Sequence, residues 1–178
     1  MGTSSPAEVA GLIRTVMDYP TPGIAFRDIA PLLAHGPALE QAVDQLAQPW
    51  RNDAVDKVAG IEARGFLLGV PLALALGVGF VPVRKAGKLP GPTVAMSYGL
   101  EYGHDVVEVQ ADAVAPGERV VVVDDVLATG GTAQATAGLI NQIGGEVVGF
   151  SFLLELAALA GREQLKGHRI EVLVEVND

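Results

Sequence analysis

Apolar residues recur along this chain at two different periods, and the change of period divides it. Between Pro6 and about Asp18, residues Val9, Leu12, Ile13, Val16 and Met17 fall at helical spacing, which predicts a first amphipathic helix. "YPTPG" (19–23) ends it. A second helical stripe, Leu39, Val43, Leu46 and Trp50, leads into the polar "RNDAVD". From Lys57 the period changes. "KVAGI" (57–61) predicts a short buried strand, "GFLLGVPLALALG" (65–77) a largely buried helix, and "GFVPVRK" (79–85) the next strand. "AGKLPGPT" (86–93) is too rich in Gly and Pro to be anything but loop. "TVAMSY" and "DVVEVQ" predict paired strands joined by the exposed "GLEYGH". Four consecutive valines in "RVVVVDDVLATGGT" (119–132) predict a buried strand, followed by a helix from about Ala133 to Ile143. The strand "EVVGFSFLLE", a short helical piece at "LAALAG" and the strand "RIEVLVEV" complete the chain. Strands alternating with helices predict an α/β fold, a central parallel sheet flanked by helices. The ribbon at about 94–110 breaks that alternation and is expected to project as a β-ribbon flap.

At 178 residues the pattern fits a single domain spanning 1–178. Although 49% of residues are hydrophobic, no apolar run approaches the roughly 18–20 residues of a membrane span. The N-terminal stretch lacks the basic and apolar regions of an export signal. The absence of cysteine excludes disulfides, thiolate metal sites and a cysteine nucleophile, and fits a reducing, cytoplasmic setting. Twelve basic against 21 acidic residues give a net charge of −9. That argues against nucleic acid as a partner, since its affinity comes from neutralising phosphates. A small anionic ligand fits if its positive partners are concentrated locally.

The candidate chemistry lies where the valine strand ends. Asp124 and Asp125 place two charges at the end of a buried run, at a desolvation cost unless something pairs with them. The loop that follows, Ala128, Thr129, Gly130, Gly131 and Thr132, can converge backbone N–H groups, two hydroxyls and a helix N-terminus on a phosphate. It lacks the lysine of a Walker A loop and the spacing of a dinucleotide fingerprint. A vicinal acid pair before such a cradle suits the 2′- and 3′-hydroxyls of a ribose whose 5′-phosphate sits in the loop. The competing reading is a capped turn. Arg64 follows one strand, and Arg84, Lys85 and Lys88 cluster after another, on the side where open α/β sheets bind ligands.

"VVVVDDVLATGGT" closely resembles the phosphoribosyl-pyrophosphate (PRPP) motif of the type I phosphoribosyltransferases. "YPTPGIAFRDIAPLL", "AGIEARGFLLG", "VPVRKAGKLPGPT" and "SYGLEYG" resemble, in order, the blocks of the adenine phosphoribosyltransferase family within that class. The likeness runs from about Tyr19 to Leu165.

The resemblance implies a hood at about 19–34 and transfer of ribose 5-phosphate from PRPP to adenine, giving AMP and pyrophosphate. By the same resemblance, Arg64, Arg84 and Lys88 contact the diphosphate, with Lys85 beside them. Mg²⁺ arrives on PRPP, no protein metal site being expected. Phe26 stacks on the base opposite Leu156, the Ala25 backbone reads the purine edge, and Arg27 supports the site. Tyr102 shields the closed flap, and Glu101 assists proton transfer and, with Arg64, counts as catalytic. The peptide between Glu62 and Ala63 is expected to be cis. A homodimer is implied. His35, His104 and His168 receive no role. Another purine-base transferase, a PRPP-sensing regulator and a nucleotide-binding module are the alternatives on such a scaffold.

Overall fold

The computed structural model describes residues 6–100 and 103–177. They cluster into two compact units, Met1–Gln45 and Leu46–Asp178.

In the first unit, α1 (Pro6–Gly11) is followed by β1 (Arg14–Met17), which pairs antiparallel with β2 (Ala25–Asp28). The single helix expected over 6–18 is therefore a helix and a strand. Val16 and Met17 suit either period, and pairing with β2 decides for the strand: Val16 stands opposite Phe26, and Thr15 opposite Arg27. Arg14 and Asp28 add an ion pair across the hairpin. The short α2 (Ala30–Ala34) follows, and α3 (Gly36–Ala47) then carries the chain from the first unit into the second.

The second unit is built on a seven-stranded sheet. Its strands are β3 (Lys57–Ile61), β4 (Gly79–Lys85), β5 (Thr93–Leu100), β6 (Gly103–Gln110), β7 (Arg119–Leu127), β8 (Glu146–Leu156) and β9 (Ile170–Val176). Their order across the sheet is β5-β6-β4-β3-β7-β8-β9. From β4 to β9 every neighbouring pair is parallel, which requires crossovers such as α4 (Arg64–Leu76) and α5 (Gly131–Gln142). Val120, Val122, Ala59, Ile61, Val81 and Phe150 belong to the core beneath α5, with Leu139 and Ile140 from that helix.

Three details differ from the sequence-based expectation. The ribbon does not wholly project: β6 pairs antiparallel with β4 through Arg84↔Glu108 and Lys85↔Val107, covering an edge that would otherwise leave backbone groups open. The strands extend further than expected, so the hairpin register continues to Leu100↔Gly103. Finally, α4 is not buried all round. Leu67, Val70 and Leu74 line one exposed stripe, with Leu74 at 76% of its full accessibility.

Candidate active site

Parallel strands bring their carboxyl ends to one edge, and there the charged residues collect. β7 runs through both aspartates to Leu127 before the loop begins. Asp125 is only 3% exposed. Its Oδ2 lies 2.9 Å from Arg64 Nε, an ion pair without the alignment of a hydrogen bond. Asp124, half-buried, accepts the Asp125 backbone N–H at 2.9 Å. Burial, and then the neighbouring Asp125 charge, push the Asp124 carboxyl well above the ordinary range. Burial also raises Asp125, against the pull of Arg64 and of a hydrogen bond with Asp124. The free protein thus resists carrying two full charges here, and a ligand that brings hydroxyl donors relieves the cost.

Arg64 and Gly65 begin α4 directly over this pair. A Cβ at Gly65 would lie 2.9 Å from Asp124 Oδ1 and 3.0 Å from the Val123 carbonyl oxygen. Only glycine lets the helix start so close to the acids.

Past Leu127 the chain turns through Ala128 and Thr129 to Gly130, whose φ of +83° is left-handed. Glycine meets that requirement without strain. Gly130 also supplies no side chain to cap α5, so the N–H groups of the helix's first turn face the loop. The loop is propped from behind. A Cβ at Gly130 would lie 2.5 Å from the Gly161 carbonyl oxygen, and a Cβ at Gly161 would lie 2.2 Å from that of Ala128. Gly161 is held in turn by its neighbour Arg162, whose Nε donates to both oxygens of the buried Glu155 at 2.8 and 2.9 Å and whose second guanidinium nitrogen donates at 2.7 Å. Leu156, half-buried, ends β8 beside this fork.

The basic cluster has an organising centre that the sequence reading passed over. Glu62 Oε2 accepts Arg84 Nε at 2.9 Å and the Lys85 backbone N–H at 3.0 Å, while Oε1 accepts Lys88 Nζ. Arg84 also donates to the Lys88 carbonyl at 3.0 Å. Burial alone would raise the Glu62 carboxyl, but the bonds from Lys88, the Lys85 backbone and Arg84 outweigh it and hold the group below the usual range. The Glu62–Ala63 peptide between this hub and Arg64 is cis. Lys85 points its ammonium elsewhere, to Asp105 on the ribbon, which with the desolvation it overcomes leaves the lysine raised.

A cavity of about 480 Å³ opens between ribbon and loop, lined by Met96, Tyr98, Thr129, Gly131, Gln134 and Gln164 among others. It is mostly polar and does not reach the aspartates. In the first unit, Ala25 is exposed and Phe26 and Arg27 half-buried on β2. Phe26 meets Tyr19 edge-on at 5.1 Å between ring centroids. Glu101 and Tyr102 lie outside the described residues. Among the described residues no three His, Asp or Glu side chains converge as a metal cage, and no helix is long and apolar enough to cross a membrane.

The second unit therefore joins Arg64, Asp124, Asp125 and the loop Ala128–Thr132 at one sheet edge, with Arg84, Lys85 and Lys88 tied by Glu62 and Asp105. Glu62, Tyr98, Asp105 and the Glu155–Arg162 fork are additions from the structure. The profile of the phosphoribosyl transferase domain matches residues 32–176. An adenine phosphoribosyltransferase of Thermobifida fusca is 53% identical over 176 residues, covering 99% of this chain and 100% of the relative. The crystal structure of adenine phosphoribosyltransferase from Thermoanaerobacter pseudethanolicus superposes with a TM-score of 0.94 at 48% identity, over 97% of this chain and 100% of that one. That of the Saccharomyces cerevisiae enzyme, complexed with an imino-altritol bisphosphate and adenine, gives 0.90 at 38% identity over 94% and 97%. With both sequence and fold matched over nearly its whole length, the chain belongs to the adenine phosphoribosyltransferase family of phosphoribosyltransferases.

Proposed function

We propose that this chain transfers the ribose 5-phosphate unit of PRPP to adenine, releasing pyrophosphate and forming AMP, as a step of purine salvage. The observation that carries the reading is the acid pair. Two carboxylates held against their own charge, immediately before a loop at a helix N-terminus, suit the hydroxyls of a ribose, which donate to them.

Each group then has a task. The backbone of Ala128 to Thr132, with the Thr129 and Thr132 hydroxyls, takes the 5′-phosphate. Asp124 and Asp125 take the ribose hydroxyls and so fix the sugar while its C1 bond to pyrophosphate breaks. Arg64, Arg84 and Lys88 stabilise the departing diphosphate, with Arg64 anchored by Asp125 and Arg84 and Lys88 by Glu62, while Lys85 stands beside them paired with Asp105. Asp124, Asp125 and the phosphate oxygens offer the hard oxygen ligands that Mg²⁺ prefers, without a protein cage, so the ion fits as a passenger on PRPP. When bound, it would spread the diphosphate's negative charge. Base recognition falls to Phe26, Arg27 and the Ala25 backbone. Leu156 is assigned an apolar contact with the base, Tyr102 a shielding role, and Glu101 the purine's proton.

The exposed stripe Leu67, Val70 and Leu74 on α4 supports a homodimer, since an apolar helix face of this kind is ordinarily covered. The composition fits a cytoplasmic enzyme. Incubation with PRPP, Mg²⁺ and each purine base in turn tests the whole reading: adenine should be consumed with pyrophosphate released. Efficient use of hypoxanthine or guanine with adenine poor would overturn it.

A further inference from the structure

Tyr98 and Asp105 stand opposite each other on β5 and β6. The Tyr98 hydroxyl donates to Asp105 Oδ2 at 3.1 Å, and the Lys85 ammonium is paired with that same oxygen. Asp105 Oδ1 accepts the Val106 backbone N–H at 2.9 Å, so both carboxylate oxygens are committed and the group has a fixed orientation. The far side of Tyr98 meets the phosphate loop. Its ring edge would lie 3.6 Å from a Cβ at Gly131, and Tyr98 lines one cavity with Thr129 and Gly131 of the loop. Lys85, at the other end of this line, is fastened by its backbone N–H to Glu62 Oε2, the oxygen that also receives Arg84. A continuous run of contacts therefore leads from the loop at Gly131, through Tyr98 and Asp105 on the ribbon, to the basic cluster.

We propose that Tyr98 and Asp105 are positioning residues that hold the phosphate loop and the diphosphate-binding cations at the separation PRPP requires. The inference rests on the function proposed above, which gives the 5′-phosphate to the loop and the diphosphate to the cations. A lone ion pair between Lys85 and Asp105 would contribute little at a partly exposed site. The tyrosine gives it direction, because its ring faces the loop while its hydroxyl holds Asp105 on the ribbon. A ligand that occupies both ends gains from a fixed spacing as linked binding groups do, while a ligand occupying one end does not. Neither residue need touch substrate.

The test compares the wild-type chain with Tyr98→Phe and Asp105→Asn, two variants that keep side-chain volume. Each is titrated calorimetrically, with Mg²⁺ present, with PRPP, with ribose 5-phosphate and with pyrophosphate. PRPP affinity should fall about tenfold or more in each variant, the size of a lost hydrogen bond to a charged group. Ribose 5-phosphate and pyrophosphate should each stay within about twofold, the scale of an ordinary surface change. Equal weakening of all three ligands would mean local damage and overturn the inference. Unchanged PRPP affinity in both variants would overturn it as well. A wild-type chain that binds none of the three overturns the proposed function, and this inference with it.

Discussion

Asp124→Asn exchanges one oxygen for a nitrogen and removes one charge from the end of β7. Asp124 is half-buried and receives a single hydrogen bond from the Asp125 backbone, which an asparagine oxygen also accepts. The raised carboxyl means that ionisation costs the folded state more than the unfolded one. A raised folded-state pKa contributes stability that is fully present below the unfolded value, about 3.9, and is lost as pH rises through the folded value. At neutral pH the native aspartate is therefore a net cost, and asparagine removes it. An unsatisfied buried group costs about 1–3 kcal/mol. The lower end applies, because Asp124 keeps some contact with water and the amide brings two donors of its own. For a chain of this size about 1 kcal/mol raises the melting temperature by roughly 2–4 °C. PRPP should move the other way: losing a charged hydrogen bond worth about 1.5–3 kcal/mol weakens it roughly ten- to a hundredfold. Calorimetric melts of the free proteins between pH 4 and 8, with PRPP titrations at pH 7.5, measure both. The stability advantage of the variant should grow as pH rises. A variant less stable than wild type at pH 8, or one with unchanged PRPP affinity, would refute the link between buried charge and ribose binding.

Glu62→Gln should behave in the opposite sense. Its carboxyl is held below the usual range, so its contribution is present above the unfolded pKa and lost as pH falls through the folded one. Melts should show the wild type ahead at pH 7 and the gap closing in acid. Gly161→Ala drives a methyl into the Ala128 carbonyl oxygen. It should cost about 1–3 kcal/mol in denaturant unfolding and raise KM for PRPP, because the displaced atom belongs to the loop proposed to hold the 5′-phosphate. Leu74→Glu puts a charge into the exposed stripe of α4 and should shift the protein towards monomer in sedimentation. A dimer as tight as the wild type's would remove α4 from the interface.

The sheet could be read from the chain because buried parallel strands announce themselves. "KVAGI" and "GFVPVRK" coincide with β3 and β4, and the valine run lies within β7. The loop between β7 and α5 was equally legible as a turn into a helix, since Gly130 and Gly131 have few reasons to stand together after such a strand. What escaped depends on partners distant in sequence. β1 is four residues long and takes its identity from β2. The ribbon's attachment depends on an open edge of β4, which no local pattern reports. Glu62 was within reach, because it too is a charge at the end of a buried strand, and the reasoning applied to Asp124 and Asp125 applies to it unchanged. Tyr98 and Asp105 alternate correctly for a ribbon, but nothing in "TVAMSY" or "DVVEVQ" says which loop they face. The Glu155–Arg162 fork, seven residues apart, left no sign beyond its charges.

The insertion of β3 between β4 and β7 also sets the order in which the molecule can be assembled. Val58 pairs with Val121, so about sixty residues of chain must close before that ladder can form. While the chain is made from its N-terminus, β3, α4 and β4 emerge first, and one edge of β3 stays open until the valine strand arrives. During that interval Arg64, Arg84 and Lys85 exist without Asp124 and Asp125. Pairing at such a distance slows folding and lengthens the exposure of an apolar edge to other chains. A ligand gripped from both sides of that junction can bind only after it closes, so PRPP in the cell would act on this protein as a trap for the closed sheet.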